Sequence, residues 1–190
     1  MIVANWKANG DIKNNHVWCE TFQNLLDKSS FKYVGISPSH IHFHQLNTFF
    51  KETNAMIGMQ DIYIEGGAIT GSISAEMASA DGCSFCLVGH SERREIFNED
   101  SNLISKKINS LLKNNIKPIL CIGESFEEHK SGKTQDKLKS QIIESFPKSD
   151  FSNELIIAYE PIWAIGSGKT PEPEEVNSIH EFIKDVVQSA

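Results

Sequence analysis

Apolar residues along this chain fall into two alternating patterns. Short unbroken runs occur at Ile2–Ala4, Tyr33–Ile36, Met56–Met59, Phe85–Val88, Pro118–Ile122 and Leu155–Tyr159. Runs of this length, followed mostly by Gly, Pro, Ser or Asn, predict strands buried on both faces. Between them apolar side chains return every three or four positions. Trp18, Phe22, Leu25 and Leu26 keep that spacing, as do Leu103, Ile104, Ile108, Leu111 and Leu112, and then Val176, Ile179, Ile183 and Val186 or Val187. This is the period of an amphipathic helix. Start signals agree: Ser74 precedes Ala75 and Glu76, Asp100 and Ser101 precede the 103–112 pattern, and Pro171 and Pro173 precede the last one. Pro38 and Ser39 read as the start of a surface helix.

Strand alternating with helix predicts a parallel sheet, because parallel neighbours need a crossover between them. The strand starts lie roughly 31 residues apart. Eight such units would make about 250 residues, the usual size of a (β/α)8 barrel. Six are present, so the expectation is one domain over residues 1–190 with the TIM-barrel architecture, incomplete at its C-terminal side. A doubly wound open sheet is the other arrangement that six strands allow.

The 190 residues carry a formal net charge of −7, with 39% hydrophobic and 23% charged residues. That balance suits a globular protein and argues against a nucleic-acid or anionic-membrane surface, which needs a basic patch. The start of the chain lacks a signal-peptide pattern, and no apolar run approaches 18 residues, so neither export nor a membrane span is expected. Cys19, Cys83, Cys86 and Cys121 sit in or beside apolar runs, which favours reduced thiols and a cytoplasmic protein.

In parallel α/β folds the chemistry lies beyond the carboxyl ends of the strands. The polar residues that follow the runs are therefore the candidates. Asn5-Trp6-Lys7 follows the first, Gly89-His90-Ser91-Glu92-Arg93-Arg94 the fourth, and Tyr159-Glu160-Pro161 the sixth. A cation, an imidazole and a carboxylate from three strand ends suit proton transfer on an anionic substrate. After Glu160, Pro161 stiffens the chain, Trp163 and Ile165 are large apolar groups in a loop, and Gly166 and Gly168 loosen the far end. That pattern suggests a lid that closes and excludes water.

The blocks NWK, GGAITG, GHSERR and YEPIWAIGSGKT resemble, in order and spacing, the signatures of the triosephosphate isomerase family. The twelve residues from Tyr159 to Thr170 are the most specific, and the resemblance runs from Ile2 to about Ala190. It implies a glycolytic isomerase that interconverts dihydroxyacetone phosphate and glyceraldehyde 3-phosphate, with no metal and no cofactor. The family's division of labour makes Glu160 the base, His90 a neutral imidazole that polarises the carbonyl, and Lys7 the cation for phosphate and enediolate. Asn5 would bind substrate oxygens, and the Gly166 N–H would bind phosphate under the closed lid. Ser91 would hold Glu160 with the lid open, Glu92 would pair with Lys7, Cys121 would pack below the site, and Glu124 would anchor the lid. Thr70, in the Gly67–Gly71 loop, would touch a second copy in a two-fold homodimer. Ala8, Ser72 and Ser167 depart from the family's usual residues, and the family's seventh and eighth units, which hold phosphate, have no counterpart here.

Two motifs mislead. Gly168-Lys169-Thr170 lacks the upstream Gly of a nucleotide-binding loop, since position 163 is Trp. Cys83-x-x-Cys86 and His40, His42 and His44 have metal-like spacing without a completing ligand set. Besides the isomerase, two readings stand: an inactive relative serving as a structural or partner-binding module, and a different phosphate-binding barrel enzyme.

Overall fold

A computed structural model describes residues 1–146 and 155–189; Ala190 lies outside them. Each predicted run is a strand: β1 Ile2–Asn5, β2 Val34–Ser37, β3 Met56–Met59, β4 Phe85–Val88, β5 Lys117–Ile122 and β6 Ile156–Tyr159. The described helices are α1 Ile12–Leu25, α2 Phe43–Phe49, α3 Ala75–Ala80, α4 Ser91–Ile96, α5 Ser101–Lys113, α6 Phe126–Lys130, α7 Thr134–Ser145 and α8 Pro173–Ser189. The start signals act as expected. Ser74 Oγ accepts the N–H of Met77 at 3.2 Å, Asp100 Oδ1 accepts that of Leu103 at 2.7 Å, and Pro173 opens α8.

The chain forms two compact units, residues 1–87 with 110–118, and residues 88–109 with 119 onward. In the first, β1 to β4 pair in parallel and in sequence order, with Ile2 opposite Val34, Gly35 opposite Met56 and Gly58 opposite Phe85. Its core is aromatic. Trp6 meets Trp18 edge-on at 4.9 Å, Trp18 stacks on Phe22 at 4.7 Å, and Phe22 meets Phe31 and Phe50 edge-on. The Phe85 ring lies against Gly58, where an added Cβ would stand 2.5 Å from it.

In the second unit β5 and β6 pair in parallel, Ile119 opposite Ile156 through Ile122 opposite Tyr159. Ile179, Ile183 and Val186 form the buried face of α8. Glu99 is buried, and its Oε1 accepts from Arg93 Nε at 2.9 Å, Arg93 Nη2 at 2.5 Å and Lys107 Nζ at 2.7 Å. This ion cluster ties α4 to α5. A carboxylate out of water is tolerable only with such donors around it.

Three expectations change. First, β1 and β6 are not buried on both faces: Ile2 is 76% exposed and all of β6 is half-buried. Each has a described strand partner on one side alone, β2 for β1 and β5 for β6. Second, Tyr33 belongs to a 3-10 turn, Lys28–Tyr33, so β2 begins one residue later. Third, the segment after Ser39 is not simply a surface helix. It opens as a 3-10 turn, His40–His42, and His42 is buried with its Nε2 3.1 Å from the Gly10 carbonyl. That bond turns the ring inward and away from any shared face with His40 and His44.

Gly58→Ala should overpack the ring of Phe85 and destabilise the protein by about 1–3 kcal/mol, read as a lower urea midpoint. The double variant with Phe85→Leu should recover part of the loss.

Candidate active site

Glu160 follows the last residue of β6, and its N–H continues the ladder to the Ile122 carbonyl at 2.8 Å. This approach requires Gly123, because any Cβ there would collide with the Glu160 carbonyl oxygen. Gly123 is itself held by Gln141, whose Oε1 accepts its N–H at 2.9 Å. The Glu160 carboxylate then meets two groups from the start of α4. His90 Nε2 donates to Oε1 at 3.0 Å, and the Ser91 N–H donates to Oε2 at 3.3 Å.

His90 caps α4, and its Nδ1 accepts the N–H of Glu92 at 3.2 Å. A ring nitrogen that accepts carries no proton, so the tautomer that satisfies both contacts has its proton on Nε2 and is neutral. The Glu92 Oε2 lies 3.5 Å from the same Nδ1, too distant to compete with the N–H. The imidazole side chain is 11% exposed and the Glu160 side chain 21%. Burial pushes the Glu160 carboxyl upward. The bonds from His90 and Ser91 outweigh it and hold the group below its ordinary value.

Cys121 lies buried on β5, and burial pushes its thiol up to about 12, so it is no nucleophile at neutral pH. Its carbonyl is 3.5 Å from Arg94 Nη2, and Arg94 Nε donates to the Gly89 carbonyl at 2.8 Å, which links the ends of β4 and β5. Glu124, after β5, is fully buried. Its Oε1 accepts from Tyr159 Oη at 3.0 Å and from Trp163 Nε1 at 2.8 Å. Trp163 sits in a 3-10 turn, Ile162–Ala164, from which residues 165–170 run exposed. Gly166 and Gly168 have φ of 66° and 71°, the left-handed region that favours glycine.

Asn5 and Lys7 belong to the first unit, at the end of β1. Lys7 has φ of 53°, a strained angle for a side-chain-bearing residue, and its N–H donates to Asn5 Oδ1 at 3.0 Å. The Lys7 carbonyl accepts from Gln60 Nε2 at 2.8 Å, and Gln60 also donates to the Ser37 carbonyl at 3.0 Å. Sequence reading passed over Gln60. It directly follows the third apolar run, and applying the strand-end rule to that run would have found it. Thr70 is exposed in a loop closed by a bridge between Tyr63 and Ser74.

The second unit thus joins His90, Ser91, Glu92 and Glu160 around one carboxylate–imidazole contact, with Glu124 at the root of the loop. Among the described residues no cluster of His, Cys, Asp or Glu suits a metal, and all four cysteines are buried.

Comparison with known proteins identifies the family. The family model described as triosephosphate isomerase matches residues 1–190. Relatives named triosephosphate isomerase include those of Legionella pneumophila (strain Paris), 35% identical, Aquifex aeolicus, 36% identical, and Finegoldia magna, 37% identical. Each alignment covers 98% of this chain and 76% of the relative. The chain belongs to the triosephosphate isomerase family. Its six strand–helix units are those of a TIM barrel, and its class is isomerase. No described helix is long and apolar enough to cross a membrane.

Two outcomes follow from this geometry. Gly123→Ala should displace Glu160 and cost stability and turnover together, whereas Gly132→Ala, an exposed site with open space around it, should spare turnover. Because the Glu160 value is lowered on folding, its contribution is present above about pH 4.5 and is lost as pH falls through the lower folded value. In urea titrations the stability gap between the parent and Glu160→Gln should therefore narrow below about pH 4.5. A gap constant from pH 7 to pH 3 would contradict the assignment.

Proposed function

We propose that this protein interconverts dihydroxyacetone phosphate and D-glyceraldehyde 3-phosphate by proton transfer through an enediolate. The observation that carries this reading is the 3.0 Å contact between a lowered, mostly buried carboxylate and a neutral imidazole. Glu160 is the base that takes the carbon-bound proton. Its bonds to His90 and Ser91 store it, and substrate replaces them. His90, with its proton on Nε2, polarises the carbonyl and passes protons between the two oxygens; protonating Nδ1 would forfeit the bond from the Glu92 N–H.

Lys7 is the cation for the phosphate and the enediolate, and Asn5 binds substrate oxygens. The bonds from Gln60 and Asn5 to the Lys7 backbone support this role by fixing the strained turn that presents the ammonium. Glu92 and Ser91 orient the imidazole and the stored base, and Cys121 and Arg94 hold the floor. The segment after Glu160, anchored by Glu124 through Trp163, is the lid, and the Gly166 N–H takes a phosphate oxygen when it closes. Closure keeps water from the enediolate, which otherwise loses phosphate. Neither metal nor cofactor enters the proposal.

Thr70 is the tip through which a second copy docks in a homodimer, a reading supported by its exposed loop and by the exposed apolar Ile12, Ile41 and Met77 of the same unit. The buried cysteines suit a reducing cytoplasm.

Glu160→Gln keeps the shape and removes the base. Its rate of triose phosphate isomerisation, followed by a coupled dehydrogenase assay, should fall by about 10²–10⁴-fold with the fold intact by circular dichroism. A rate within twofold of the parent would refute the base.

A further inference from the structure

The mechanism leaves one titratable group beside the lid unused. His129, on α6, stacks on the Trp163 indole with centroids 4.4 Å apart and planes 24° from parallel. Its Nδ1 stands 3.6 Å from Glu124 Oε1 and 3.7 Å from Glu175 Oε1. Glu124 is fully buried, and its second oxygen, Oε2, has no hydrogen-bond partner among the described residues. Glu124 Oε1 is also the acceptor for Trp163 Nε1. The imidazole therefore touches the root of the lid twice, through the indole face and through the carboxylate that holds the indole nitrogen.

We propose that His129 is a positioning residue for the segment after β6: with a proton on both ring nitrogens it clamps Trp163 against Glu124, and without the second proton it relaxes that clamp. Histidine is the side chain whose charge changes in the physiological range. As imidazolium it is a cation over an indole, which is attractive, and it sets a positive charge between two carboxylates. As neutral imidazole it offers at most one N–H. It loses the cation–π attraction and leaves the buried Glu124 carboxylate less compensated.

The groups that face the ring are Glu124 from the turn after β5 and Glu175 from α8. Tyr159 of β6 reaches it only through Glu124, and His180 of α8 lies beyond the Tyr159 ring at 6.4 Å. On α7, Lys137 is engaged by Glu128 at 3.0 Å, and Lys169 lies 5.2 Å over the Phe126 ring. Neither cation substitutes for His129. Burial first and then Glu124 raise the Tyr159 hydroxyl, which keeps it a neutral donor to Glu124. A second ring proton on His129 thus tightens the root of the lid.

The full chain labelled with 5-fluorotryptophan gives three ¹⁹F resonances, from Trp6, Trp18 and Trp163. Trp163→Phe assigns the third. That resonance should move between pH 5 and pH 8 with the same midpoint as the His129 ring followed by ¹H–¹⁵N correlation. In His129→Arg, a permanent cation, it should stay flat near the acid-limit shift, and in His129→Gln flat near the alkaline limit. A Trp163 resonance that does not titrate in the parent, or that titrates equally in His129→Gln, would overturn the proposal. If both substitutions disturb folding, the parent's two midpoints decide alone: unequal midpoints sink it. No substrate is used, so this outcome is independent of whether the isomerase reading survives.

Discussion

A carboxylate that is mostly out of water needs donors, and Glu160 obtains them from the start of α4. That requirement organises the second unit. The β6 ladder must run far enough to carry Glu160 past Ile122, which only a glycine at 123 permits. The imidazole must present a proton on Nε2, which the Glu92 N–H on Nδ1 imposes. Ser91 must begin the helix there, so that its N–H is unused by the helix and available to the second carboxylate oxygen. Each feature costs some conformational freedom, and together they leave a carboxylate that is charged and held.

The stretch from Gly89 to Lys107 performs two tasks with adjacent residues. Its first part caps α4 with the His90 imidazole. Its second part anchors that helix through the buried cluster of Arg93, Glu99 and Lys107. Anchoring matters because a helix of one and a half turns is not stable alone. Without a fixed helix axis, the N–H groups aimed at His90 and Glu160 would lose their direction, and a shift of about 1 Å is enough to cost catalytic geometry. The same economy appears at β1, where the strained turn at Lys7 persists because Gln60 and Asn5 hold its backbone on both sides.

Glu124 joins the rigid strand ends to the segment that follows Glu160. Its one bonded oxygen serves Tyr159 and Trp163 together, and His129 lies over the indole. The root of the loop is thus tied by directed polar contacts, while residues 165–170 are exposed. A tied root and an exposed tip are what the proposed lid requires.

The sequence alone determined the strands, the main helices and the family. Buried strands must be apolar without interruption and surface helices must alternate, so composition and period carry that information directly. The strand-end rule likewise selected Lys7, His90 and Glu160, because polar residues directly beyond such runs have few places to go. The β2 boundary shifts by one residue because a 3-10 turn has no period of its own, and the burial of His42 has no local signal because its inward bond to Gly10 depends on a segment 32 residues away. The roles of Gly123, Gln60 and His129 were decided only by tertiary structure. A close backbone approach, a clamp on a carbonyl and a ring stacked between two carboxylates are distances between segments far apart in sequence, and no local pattern encodes them.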